Sequence, residues 1–234
     1  MRWTVAAAAA AWLPLAAAVA LPQAGTQPTN GLPLKAVAPD SAGAQLVLIL
    51  SGEAGRGPFE DALAAEFARS GAGAVVLDAR SYLASAKTAD TLASDVATIV
   101  RTYSARWHRS ELIVVGYSRG ADLAPFLANR LPGGLPTRLA EVAMVSPSGR
   151  ATFELSLRDV VRTRARATDL PVMPELERLR GRAILCLYAG DERMAFCPRV
   201  DASLARVVRH PGARRLTADD AVTIARLVLG SAGT

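Results

Sequence analysis

With 234 residues, 51% apolar and 21% charged, the chain suits one globular domain with a substantial core and is too apolar for a disordered segment. Its 27 Lys+Arg against 21 Asp+Glu give a formal net charge of +6, which fits an anionic partner surface and equally a merely soluble, arginine-rich exterior. The arginines are scattered and the few aromatics form no stacking platform, so nucleic acid is not an expected partner.

The chain opens on Met1-Arg2-Trp3, then an Ala/Leu run from Ala6 to Ala20 broken by Pro14, ending in Ala18-Val19-Ala20. A short positive start, an apolar stretch and an A-x-A site predict a signal peptide over 1–20 and export, with a bacterial periplasm as the destination. The rival is an uncleaved anchor, but alanine is weakly apolar and Pro14 sits badly in a spanning helix. Polar residues then predict a linker over 21–31, leaving 32–234 as a single domain.

Within that domain, Leu32 to Val37 could form a short edge strand and Gln45 to Leu50 (QLVLIL) a core strand. Pro58 to Ser70 has helical spacing, with Phe59, Leu63 and Phe67 on one face. Gly73 to Leu77 follows as a strand. A long helix is expected over Ala89 to Trp107, with Leu92, Val96, Ile99, Val100 and Tyr103 inward. Glu111 to Val115 predicts the next strand, followed by a turn and a helix that ends at Pro132-Gly133-Gly134. Leu139 to Val145 is a further strand. Ala151 to Pro174 lacks a strand signal and reads as an insertion or lid. Arg182 to Tyr188 and Leu204 to Arg209 are the last strands, and Ala218 to Leu229 a closing helix. Apolar strands alternating with helices predict an α/β fold of the α/β-hydrolase type: a doubly wound, mostly parallel sheet of about six strands, with helices on both faces.

The turn after Glu111 to Val115 reads Gly116-Tyr117-Ser118-Arg119-Gly120. Strand, G-x-S-x-G, then helix is the context of a nucleophile elbow, in which a serine stands on a strained turn above the sheet. Its glycines let strand and helix approach each other, and the helix N-terminus favours developing negative charge. In this fold the partners follow in the order serine, acid, histidine. Asp191 is the preferred acid, after the strand ending at Tyr188, with Glu192 as the alternative. Oxyanion donors are expected from Gly52, in the Ser51 to Gly55 loop, and from the N–H of Arg119. Only His108 and His210 are available as bases. His108 lies at the wrong end of the sheet, whereas His210 follows the last strand. Two cysteines in an exported protein predict a Cys186–Cys197 disulfide stapling the acid loop, against two buried free thiols. No motif calls for a cofactor, and no His/Cys cluster has metal-ligand spacing.

Gly116 to Gly120, continuing as Ala121-Asp122-Leu123-Ala124-Pro125-Phe126 and then Asn129-Arg130-Leu131-Pro132, resembles the bacterial virulence-protein family VirJ/AcvB. That family carries G-Y-S-F-G-A-D-V-x-P-F and N-R-L-P there. Leu48 to Glu53 is similar to its L-L-S-G-D-G-G-W, and Leu185 to Tyr188 with Cys197-Pro198 to its L-C-x-Y-G…C-P. The likeness runs from about Leu32 to Leu229.

The resemblance implies an exported α/β-hydrolase-fold protein linked to virulence and type IV secretion. It also implies a serine ester hydrolase, including hydrolases of aminoacylated phosphatidylglycerol. A small-molecule or lipid-headgroup ester, an anionic membrane surface and secretion-system proteins are therefore the expected partners. The family's histidine motif G-G-H-H-F, however, aligns with Gly212-Ala213-Arg214-Arg215-Leu216. Arginine stays protonated and cannot act as a base. Three readings follow, the first two being an active enzyme using Ser118, Asp191 and His210 and a degenerate fold in which Arg214 and Arg215 bind an anion. An envelope or secretion interaction module is the third.

Overall fold

The computed structural model describes Thr29, 31–155, 168–192 and 194–232. The expected signal peptide and nearly all of the linker lie outside the described residues. Nine strands and six α-helices alternate among those residues: β1 (Leu34–Val37), β2 (Gln45–Leu50), α1 (Pro58–Arg69), β3 (Gly73–Leu77), α2 (Ala79–Tyr82) and α3 (Ala89–Trp107), then β4 (Glu111–Tyr117), α4 (Arg119–Arg130) and β5 (Arg138–Val145). The chain continues through β6 (Arg150–Ala151), β7 (Leu170–Pro171), α5 (Met173–Arg178), β8 (Ile184–Ala189), β9 (Arg206–His210) and α6 (Ala221–Ala232).

The main sheet has seven strands in the order β1-β3-β2-β4-β5-β8-β9. All neighbours are parallel except β1, which lies antiparallel on β3. The expected edge strand joins the six others as the seventh strand of the sheet. Strand alternation divides the core into two layers. Leu46, Leu48 and Leu50 face the layer shared with α3, α4 and α5, while Val47 and Ile49 face α1 and α6. Both faces of the inner strands are covered, which is why QLVLIL reads as a continuous apolar run.

Helix boundaries follow local chemistry. Thr88 caps α3 by accepting the Thr91 N–H at 3.0 Å, and His108 ends it in the left-handed region at φ 55°. His108 is therefore a helix terminator, and it lies before the start of β4 while Ser118 follows that strand's other end. The segment between β5 and β8 contributes the β6–β7 ribbon and α5, which packs on α4 through Glu175. Residues 156–167 of the expected lid lie outside the described residues.

Because the strands are parallel, β2, β4, β5, β8 and β9 all end at one edge. The segments after them, including Ser51–Gly55, Ser118, Ser146–Gly149, Gly190–Glu192 and Pro211–Leu216, collect there. A disulfide joins Cys186 in β8 to Cys197, closing the loop that carries Asp191 and Glu192. Replacing both cysteines by serine is expected to cost about 2–4 kcal/mol in denaturant unfolding, since the bridge restricts the unfolded chain.

Candidate active site at the carboxyl edge of the sheet

Ser118 joins β4 to α4 at φ 50° and ψ −113°, a region costly for a residue with a Cβ. Close packing holds it there. A Cβ on Gly116 would lie 2.2 Å from the Gly120 carbonyl oxygen, and a Cβ on Gly120 would lie 2.1 Å from that of Leu50. Helix α4 can start this near to β2 and β4 because both residues are glycine. The Ser118 N–H donates to the Val145 carbonyl at 2.8 Å, and its own carbonyl accepts the Ala121 N–H at 3.0 Å. Only part of the residue (9%) is exposed.

Gly52 passes directly beside this turn: a Cβ placed on it would lie 3.5 Å from Ser118 Cβ. Its N–H does not face the serine as an open donor, however. It donates to Glu60 Oε1 at 3.3 Å, while Gly57 N–H donates to Oε2 at 2.9 Å. The early carboxylate of α1 reaches back to cap its own helix and takes the N–H that sequence reasoning assigned to an oxyanion. Burial pushes the Glu60 carboxyl above its ordinary range. Arg119 occupies the first position of α4, where backbone N–H groups lack helical partners. Its side chain leads away, donating to Thr152 Oγ1 at 3.1 Å, which in turn donates to Asp169.

Asp191 lies just beyond β8, and its Oδ1 accepts the backbone N–H of Arg214 at 2.9 Å. Tyr117, next to Ser118, fixes the same loop from the other side. Its hydroxyl donates to the Arg214 carbonyl at 3.1 Å and accepts the Leu216 N–H at 3.2 Å. Burial raises the Tyr117 pKa, so the phenol stays neutral and keeps its proton to donate. The exposed Arg214 side chain pairs with Glu192 Oε1 at 3.4 Å, and Arg215 is likewise exposed. Glu192 thus serves Arg214, and the preferred acid Asp191 reaches that residue's backbone.

His210 is elsewhere. It is the last residue of β9, not part of the loop after the strand, and it pairs in register with Ala189. The ring is buried, Nδ1 lies 2.9 Å from the Pro211 carbonyl, and Nε2 has no hydrogen-bond partner among the described residues. Ser118 and Asp191 are therefore not joined through His210. The sheet register holds it four residues upstream of the backbone that Asp191 engages.

Asp122, about one helical turn beyond the serine, was not singled out by sequence, although it lies inside the G-Y-S-R-G-A-D run. It is almost fully buried and accepts from Ser148 Oγ at 2.6 Å and from Gly149 N–H at 2.8 Å, tying α4 to the loop after β5.

A family model, described as bacterial virulence protein (VirJ), matches residues 44–233. The chain belongs to the VirJ family. No protein of curated function matches this VirJ-family chain in sequence. Solved structures similar to it include Est1E from Butyrivibrio proteoclasticus, at 12% identity and TM-score 0.60, covering 88% of this chain and 97% of that one. The thioesterase domain from the curacin biosynthetic pathway aligns at 15% identity and TM-score 0.57, covering 84% and 94%. MenH from S. aureus aligns at 12% identity and TM-score 0.57, covering 85% and 97%. At these identities the likeness establishes the α/β-hydrolase fold of the VirJ-family chain and leaves its chemistry to its own residues.

Burial pushes the Asp122 carboxyl up to about 7, against the opposing effect of its Ser148 and Gly149 bonds. A folded pKa above the unfolded value means ionisation opposes folding. The contribution of Asp122 is complete below about pH 4 and is lost as pH rises to about 7. In chemical denaturation, wild type should lose stability relative to Asp122→Asn across that window, on the order of 1 kcal/mol per pH unit.

Proposed function

We propose that this VirJ-family protein uses a hydrolase-type serine turn to bind the ester-bearing headgroup of an anionic lipid without turning it over. The observation that carries this reading is the hydrogen bond from Arg214 N–H to Asp191 Oδ1. It supports Arg214 as the residue standing where the family places its histidine. A carboxylate in that position orients an imidazole and stabilises its cation, but a guanidinium has no lone pair with which to accept the serine proton. Ser118 is the elbow serine in this reading. The backbone N–H groups of Arg119 and Glu53 are its oxyanion donors, since Gly52 N–H is engaged by Glu60.

The aminoacylated phosphatidylglycerol suggested by the family resemblance is the ligand class we favour. Arg214 and Arg215 would meet the phosphate, and the disulfide supports an oxidising compartment such as the periplasm. Vesicles of phosphatidylglycerol, compared with phosphatidylcholine, should bind the wild type more tightly than Arg214→Ala/Arg215→Ala. Equal binding by the double variant would remove these arginines from the site.

The reading predicts that wild type hydrolyses a short acyl ester no faster than Ser118→Ala. Restoring a base with Arg214→His should raise the rate by about tenfold or more, and only while Ser118 is present. A Ser118-dependent rate in the wild type would overturn it.

A second reading rests on His210 Nε2, a ring nitrogen with no hydrogen-bond partner among the described residues. If the end of β9 unpaired from Ala189 and brought that ring to Ser118, the protein would be a working ester hydrolase, and His210→Ala would abolish the Ser118-dependent rate.

A further inference from the structure

At the amino edge of the sheet, opposite Ser118, a cavity of about 240 Å³ lies between the starts of β8 and β9 and the end of α6. Arg182, Ala183, Ala202, Ser203 and Arg206 form its exposed rim. One Arg206 N–H donates to the Leu227 carbonyl at 3.2 Å, which anchors the side chain and leaves its other donors unused among the described residues. Ser203 is held by two bonds: its N–H donates to Asp201 Oδ1 at 2.7 Å, and its Oγ accepts from Arg180 at 2.9 Å. The Ser203 hydroxyl hydrogen is thus left to donate. The Arg182 side chain has no hydrogen-bond or ion-pair partner among the described residues.

Glu141 stands behind this rim. The β4–β5 register shifts between Leu112 and Ile113, so that Leu112 faces Leu139 but Ile113 faces Glu141. The extra residue turns Glu141 into the cavity wall, where it is 1% exposed. Ser231, in the last turn of α6, lies 2.6 Å from Oε1, and Oε2 is closed off from the cavity. A ligand therefore meets two guanidinium groups and a hydroxyl donor, and it touches no carboxylate. The buried acid acts on it only through space, as a counter-charge to the arginines.

We propose that this cavity binds the phosphate group of a small soluble phosphomonoester, held by Arg182, Arg206 and Ser203. Two guanidinium groups match a dianion, and donors from three chain positions suit a tetrahedral group with several acceptor oxygens better than a planar carboxylate. The volume is below the about 300–1,000 Å³ of drug-sized sites, which fits a ligand of few atoms. A bilayer meeting Arg214 and Arg215 at the carboxyl edge would not reach the amino edge, so the phosphate is a soluble one. Glu141 couples binding to pH. The charged groups around it are Arg206 and Arg182, while α6 presents Ser231 and β4 presents Ile113. Burial pushes its carboxyl up to about 7, against the Ser231 bond and the Arg206 charge. An anion on Arg206 offsets that charge and raises the carboxyl further. Binding of a non-titrating anion therefore takes up a proton at neutral pH and strengthens as pH falls through that value.

The proposal does not depend on the reading of the Ser118 site. The experiment is a calorimetric titration of the full chain with ethyl phosphate, acetate and sulfate, in wild type, Arg182→Ala, Glu141→Gln and Arg214→Ala/Arg215→Ala. We expect saturable ethyl phosphate binding, with acetate weaker by about tenfold or more. Arg182→Ala should lose about tenfold or more in that affinity while unfolding cooperatively like the wild type, because its exposed side chain supports no packing. The Arg214→Ala/Arg215→Ala variant should bind ethyl phosphate like the wild type, which separates this cavity from the carboxyl edge. Sulfate does not titrate near neutrality, and its binding should take up a proton in the wild type but not in Glu141→Gln, as read in buffers of different ionisation enthalpy. No saturable ethyl phosphate binding, an affinity unchanged in Arg182→Ala, or one lost in the Arg214/Arg215 variant would overturn the proposal. Sulfate binding without proton uptake would do so too. Weaker binding of phosphatidylglycerol vesicles by Arg182→Ala would assign the phosphate to a lipid and overturn the soluble ligand.

Discussion

Everything at the carboxyl edge depends on how closely α4 approaches the ends of β2 and β4. With glycine at 116 and 120, the helix starts in backbone contact with both strands, and the chain can reverse only by holding Ser118 at positive φ. The strain is local, on the order of 1–3 kcal/mol, and the buried Leu, Val and Ile layers on either side of the sheet maintain it. From that contact follow the position of Gly52 beside the serine and the N-terminal placement of Arg119. The burial of Asp122, which bonds the next loop, follows as well.

The second constraint acts on the loop after β9. Asp191 and Tyr117 hold the backbone of residues 214–216 from two directions, so the loop is placed by the acid and by the residue preceding the serine. The loop is thus positioned by backbone bonds, whatever side chain it carries at 214, and the Arg214 side chain is turned to Glu192.

The sequence made the architecture readable because each core strand is short, apolar and followed by a helical period. The strand β2, the long helix α3 and the turn at Ser118 lie where their patterns put them. The site was only partly readable. The pairing of Cys186 with Cys197 was expected from there being two cysteines in a chain read as exported. That Glu60 would take the Gly52 N–H could not be read, because helix capping by a residue eight positions away leaves no local pattern. His210 looked like a loop residue because β9 was expected to stop at Arg209. Pairing with Ala189 adds one residue to the strand and buries the ring. Glu141 gave no signal either, since a bulge that turns a charged residue inward depends on the neighbouring strand.

Reaction of Ser118 with a fluorophosphonate, followed by mass spectrometry of the intact protein and its peptides, tests the central claim most directly. Such reagents phosphonylate a serine whose proton is accepted as the P–O bond forms and fluoride leaves, so they report activation independently of substrate choice. The account predicts no adduct on Ser118 in the wild type and an adduct in Arg214→His. A stoichiometric Ser118 adduct in the wild type would contradict it.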